Sequence, residues 1–117
     1  MRTKIFLLIF GFSFFLNSCN YRTKSNIRFE KNTGIKFPDS VKVIQDRFED
    51  AGPDYVLYYE FITNEEDCLK ILQSLETSRE WKKIQDNLTF SKTVDGIIYS
   101  IQILVDKKTI IYIEELI

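Results

Sequence analysis

The sequence contains no histidine. That removes the commonest general base near neutral pH, the commonest zinc ligand and every Ser-His or Cys-His nucleophile pair. Cysteine is nearly as scarce, with Cys19 and Cys68 alone. The four glycines and two prolines confine sharp backbone reversals to a few marked places. Neither sign of charge dominates, with 16 Lys and Arg against 17 Asp and Glu, so there is no electrostatic reason to expect nucleic acid. No apolar run reaches the roughly 20 residues of a spanning helix. The longest, from Ile5 to Leu16, is interrupted by Gly11 and Ser13 and stops at Asn17.

What is present begins with that run. Arg2 and Lys4 precede it, and five phenylalanines lie within it. A basic start, an apolar stretch of about a dozen residues and a small residue near a cleavage point describe a secretory signal. Its last four residues, Leu16-Asn17-Ser18-Cys19, resemble the lipobox of bacterial lipoproteins. The resemblance implies cleavage before Cys19, a thioether-linked lipid on Cys19 and acylation of the new amino terminus. Three acyl chains at about 0.8 kcal/mol per buried methylene would make desorption negligible. The expected organisation is a signal peptide over 1–18, a tether over 19–25 and one small domain over 26–117. The 99 residues after the signal suit a single domain.

The tether carries Tyr21-Arg22-Thr23-Lys24. Surface-exported lipoproteins of Bacteroidota resemble one another in an acidic run after the cysteine. The basic tether departs from that pattern, and the expected location is the cell envelope, on the outer membrane facing the periplasm. Asp39-Ser40-Val41 resembles the short O-glycosylation acceptor of the same group; a turn that opens a strand explains it equally well.

Ser25 to Thr33 predicts a short helix with Ile27, Phe29 and Ile35 as its apolar contacts, ended by Gly34 in the left-handed region. Val41 to Phe48 and Tyr55 to Ile62 predict a hairpin across the Gly52-Pro53 loop. A change of apolar phase at Val43-Ile44 predicts either a bulge in its first strand or pairing that ends early. Thr63-x-x-Glu66 has the form of a capping box, and Cys68, Ile71, Leu72 and Leu75 form one buried stripe of a helix over 64–76. Thr77-x-x-Glu80 suggests a second, shorter helix carrying Trp81 and Ile84. Leu88 to Val94, Ile97 to Val105 and Thr109 to Leu116 predict a meander, with Asp95-Gly96 as a two-residue hairpin turn. The class is α+β: a five-stranded antiparallel sheet made of a hairpin and a three-stranded meander, with a helix pair packed on one face. No strand order is legible.

Candidate chemistry is thin. Glu65-Glu66-Asp67 suits the positive end of a helix dipole, and it lacks the spaced oxygens and tight glycine turn of a calcium loop. Cys68 near a helix start could be a reactive thiol, but its place in the apolar stripe points to a buried core residue. Trp81 among Arg79, Lys82 and Lys83 reads as a core anchor rather than a surface patch. No metal and no cofactor are expected.

The tyrosines carry more. Helices on one sheet face leave the other to some of Val56, Tyr58, Ile62, Ile98, Ile110, Tyr112 and Leu116. That set is too apolar for a plain solvated surface, and such patches mark interaction sites. The expected binding surface is therefore Tyr58 and Tyr112 as anchors with Val56, Ile62 and Ile110. A competing reading buries the tyrosines under the amino-terminal segment. The expected function is a membrane-anchored, non-enzymatic module of the bacterial envelope that binds a protein partner, as immunity proteins and periplasmic inhibitors of similar size do. The alternatives are a structural accessory subunit of an envelope complex and an enzyme using carboxylates such as Glu60 or Glu114.

Overall fold

The computed structural model describes residues 23–84 and 88–116. The signal peptide expected over 1–18, Cys19 and the tether as far as residue 22 lie outside the described residues. Helix α1 spans Ser25–Thr33 and strand β1 Lys42–Ala51. Strand β2 spans Asp54–Ile62, helix α2 Glu65–Glu76 and strand β3 Lys82–Lys83. Strand β4 covers Thr89–Val94, β5 Ile97–Leu104 and β6 Thr109–Leu116, with a 3₁₀ turn at Val105–Lys107 before β6.

All the strand pairs are antiparallel, in the order β1-β2-β6-β5-β4-β3. The last strand therefore sits at the centre, zipped between the first hairpin and the second. Asp95 and Gly96 both have positive φ, 52° and 81°, as a two-residue turn with the twist of its strands requires. The expected bulge is present: the β1–β2 register shifts between Val43 and Gln45. Edge strand β1 exposes Lys42, Arg47, Glu49 and Asp50, and bulge and charges together discourage edge-to-edge pairing.

Register decides the core. One row runs Leu57, Glu114, Tyr99; the next Tyr59, Tyr112, Ile101, Phe90; the third Phe61, Ile110, Ile103. All these residues are buried, and all but the charged Glu114 share one apolar cluster with Phe29 of α1, with Cys68, Ile71 and Leu75 of α2, and with Trp81. Both helices thus cover the same sheet face. Phe29 is the apolar peg of α1, edge-on to Phe37, Phe61 and Tyr112 at 5.4–5.8 Å between ring centroids. Ile27, expected as a core contact, is instead 48% exposed on the solvent side of the helix. Gly34 ends α1 at φ 73°, its N–H donating to the Glu30 carbonyl.

The start of α2 satisfies its free N–H groups by a variation on the expected box. Asn64, not Thr63, is the N-cap, and its side chain accepts from the Asp67 N–H at 2.8 Å. The reciprocal bond comes from outside the helix. Ser40 Oγ accepts from the Asn64 N–H and donates to the Asp67 carboxylate. The Ser40 hydroxyl, in the triplet that resembles a glycosylation acceptor, is thereby engaged in holding α2 to the loop before β1.

Two expectations fail. Among the described residues the sheet has six strands, not five, and no second helix follows α2 over Thr77 to Ile84. Thr77 is the C-cap of α2, its hydroxyl bonding back to the Gln73 carbonyl. Ser78 Oγ then accepts from the N–H groups of Glu80 and Trp81, which turns the chain without starting a helix. Trp81 enters the core at 4% exposure while Ile84 stays 44% exposed, so their spacing does not mark one buried face. Lys82 and Lys83 pair with Ser91 and Phe90 instead, and the Ile84 N–H continues the ladder to the Thr89 carbonyl.

Candidate functional site

The covered and open faces of the sheet differ in chemistry. Beneath α1, Glu114 is 1% exposed. Its carboxylate accepts from Arg28 at 2.8 Å, Asn32 at 3.0 Å, Tyr55 at 3.0 Å and Tyr112 at 2.6 Å. A buried carboxylate is tolerated when paired and fully hydrogen-bonded, and four donors meet that requirement. The Tyr112 hydroxyl also accepts from Asn32. Burial first, then the bond to the Glu114 carboxylate, push the Tyr112 phenol well above its ordinary pKa. Arg28 lies 5.9 Å from the Phe48 ring and 5.7 Å from the Tyr55 ring.

A second cation closes the far end of α1. Lys92 Nζ donates to the Asn32 carbonyl at 2.5 Å and lies 5.0 Å from the Trp81 ring and 5.7 Å from that of Tyr99. A cation there complements the negative end of the helix dipole. At the other end, the buried Ser25 hydroxyl donates to Asp46. Five hydrogen bonds and one phenylalanine thus hold α1 to the sheet. Sequence reasoning missed them. Arg28 and Glu114 are 86 residues apart, Lys92 and Asn32 are 60 apart, and no local spacing signals such a pair.

The open face presents a different set. Val56, Tyr58, Glu60 and Ile62 of β2 stand on it with Ile111, Ile113 and Glu115 of β6 and with Ile98, Ser100 and Gln102 of β5, by strand register. Arg47 and Glu49 of β1 border it on one side and Ser91 and Thr93 of β4 on the other. The result is an apolar band flanked by charge and hydroxyls. Among the described residues both helices lie on the opposite side. Tyr58 is fixed at the centre of the β1 side. Its ring lies 5.0 Å from the Arg47 guanidinium, and its hydroxyl donates to Glu60 at 3.0 Å. Partial burial and then the Glu60 contact raise its phenol pKa, so the group stays a neutral donor.

Of the five residues expected to form a binding surface, Val56, Tyr58 and Ile62 share the open face; Val56 is exposed, and Tyr58 and Ile62 are half-buried. Tyr112 and Ile110 do not belong with them. Both are fully buried on the helix-covered face. The reason is phase. Strand β6 is apolar on both sides, with Ile111 and Ile113 on one and Ile110 and Tyr112 on the other, so alternation cannot tell inside from outside. Glu114, in phase with Tyr112, argues for the wrong assignment, because a lone glutamate usually marks solvent.

The two carboxylates considered for catalysis do not converge. Glu60 pairs with Ile111 and Glu114 with Leu57, which places them on opposite faces. Among the described residues, no group of three or more Cys, Asp or Glu could hold a metal ion, and no helix is long and apolar enough to cross a membrane. Cys68 is 1% exposed. Burial, then the charge of Glu65, push its thiol pKa up, despite its place near a helix start. A bulky thiol reagent is expected to leave Cys68 of the native protein unlabelled over hours, with labelling appearing in denaturant. Cys68→Ala should lower stability by about 1–2 kcal/mol, read from a urea transition.

Compared with protein-family models, with curated proteins and with solved structures, the chain matches none.

Proposed function

We propose that the protein is a lipid-anchored, non-enzymatic binding module of the bacterial cell envelope, held by Cys19 to the outer membrane on its periplasmic side, that grips a protein partner on the open sheet face. One observation supports the binding surface above others: Tyr58, braced by Arg47 and Glu60 at the edge of an apolar band that no described element covers. Tyrosine offers a large apolar area, a polar tip and only two torsions to freeze. Holding it in place beforehand reduces the entropy lost on binding. Polar flanks and an apolar middle also match the anatomy of interfaces. The mode of action is occupation of a partner's surface, as an immunity protein or inhibitor works.

The test compares the lipidated protein with its Tyr58→Ala variant, recovered from their own membranes after mild crosslinking. Tyr58 is only partly buried, so the variant's melting temperature should stay nearly unchanged. Capture of a specific partner should weaken by about 2 kcal/mol, roughly 30-fold. Undiminished capture of the same partner by Tyr58→Ala and by Val56→Asp would remove this face from the account.

A further inference from the structure

We propose that the solvent side of α1 is a membrane-contacting surface, seated on the phosphates of an anionic phospholipid bilayer through Lys24 and Lys31 with Ile27 between them. The inference deepens the proposed function and rests on its anchoring of Cys19. Lys24, Ile27 and Lys31 stand at i, i+3 and i+7 along the helix and its N-cap, which is one stripe at 3.6 residues per turn. Phe29, the core peg, points to the other side of the helix. All three stripe residues are exposed, Ile27 by 48%. The nearest acid, Glu30, is turned to the following loop, where its carboxylate accepts from the Phe37 N–H at 2.7 Å. Two cations around an exposed isoleucine form a small version of the basic, apolar faces by which helices rest on anionic lipid.

Chain length selects the bilayer as occupant. Six steps separate Cys19 from Ser25, at most about 22 Å of extended chain. The helix that receives the tether is also the one tied to the sheet at Ser25, Arg28, Phe29 and Asn32. Orienting α1 therefore orients the domain. The outer side of α2 is a poorer contact, since Glu65, Glu66 and Glu76 outnumber Lys70 among its exposed charges, and like charge repels an anionic surface. With the helix layer on the lipid, the open sheet face with Tyr58 points away from the membrane, toward a partner.

The experiment uses the chain from Cys19 onward, coupled through the Cys19 thiol to a maleimide phospholipid in vesicles of phosphatidylglycerol and phosphatidylethanolamine. Buried Cys68 leaves one coupling site. Lysines are then acetylated briefly and mapped by mass spectrometry, beside uncoupled protein at the same concentration. Lys31 and Lys24 should lose reactivity several-fold on the vesicles, while exposed Lys82, Lys83, Lys107 and Lys108 keep theirs. Ile27→Asp, at an exposed position, should restore labelling of Lys31, and molar salt should do the same by screening. Equal reactivity of all lysines overturns the proposal, as does protection centred on Lys82 and Lys83. Protection of Lys31 without vesicles overturns it in favour of self-association. The coupling is chemical, so this result stands apart from whether the cell lipidates Cys19, which the mass of the native mature protein reads separately.

Discussion

Tyr112→Ala is expected to lower stability by about 3–5 kcal/mol, the range for truncating a large buried aromatic. The ring is fully buried at the centre of the sheet, between Tyr59 and Ile101 in its row and edge-on to Phe29. Its hydroxyl adds a second loss. Without it, the buried Glu114 carboxylate gives up its shortest donor, and Asn32 gives up one of its two acceptors. At ~4–8 °C per kcal/mol for a domain of this size, the melting temperature should fall by at least about 12 °C. Tyr112→Phe separates the two contributions. It keeps the packing and removes only the hydroxyl, so it should cost about 1–3 kcal/mol. A Tyr112→Ala protein that melts within a few degrees of the parent would contradict the placement of β6.

Phe29→Ala should be comparably costly, about 3–5 kcal/mol, with a different signature. Phe29 is the apolar side chain of α1 that is fully buried, in contact with Phe37, Phe61 and Tyr112. The remaining ties of α1 are polar, and water competes for such bonds once the helix loosens. A nine-residue helix has little stability of its own. Amide exchange should therefore accelerate first across Ser25–Thr33, ahead of the central strands β2, β5 and β6. Unchanged protection of α1 in this variant, with a loss under about 1 kcal/mol, would show that the ion pair with Glu114 holds the helix without its peg.

The same two residues show where the sequence is legible. Element positions follow from local chemistry: Gly34 closes α1, Asp95-Gly96 closes a hairpin, and the Cys68, Ile71, Leu75 stripe places α2. The phase break at Val43-Ile44 reveals a bulge because β1, an edge strand, buries little and must change pairing to keep Phe48 inside. Strand β2 is legible because Glu60 marks its outer side, opposite the unbroken apolar row Tyr55, Leu57, Tyr59 and Phe61. Strand β6 is not. A central strand carries apolar residues on both faces, and its inner row contains a glutamate whose partners come from the far end of the chain. The insertion of β6 between the hairpins is a long-range choice that no window of sequence contains. The segment after α2 is misleading for the opposite reason: Thr77-x-x-Glu80 has a cap's spacing, but backbone bonds to β4 outweigh one side-chain cap.

The candidate surface divides along the same line. Tyr58, Val56 and Ile62 are placed by the clear alternation of β2, whereas Tyr112 and Ile110 inherit the ambiguity of β6. What remains is a smaller open face centred on Tyr58, and a polar lock under α1 that ties this first helix of the described residues to the sheet.

The proposed place of the protein in the cell envelope rests on lipidation of Cys19. The intact mass of the mature protein, extracted from its own membranes in detergent, measures that directly. The account predicts a chain that begins at Cys19, heavier than its amino-acid sequence by a diacylglyceryl thioether and an amide-linked acyl chain. A mature protein that retains residues before Cys19, or that carries Cys19 unmodified, would contradict it.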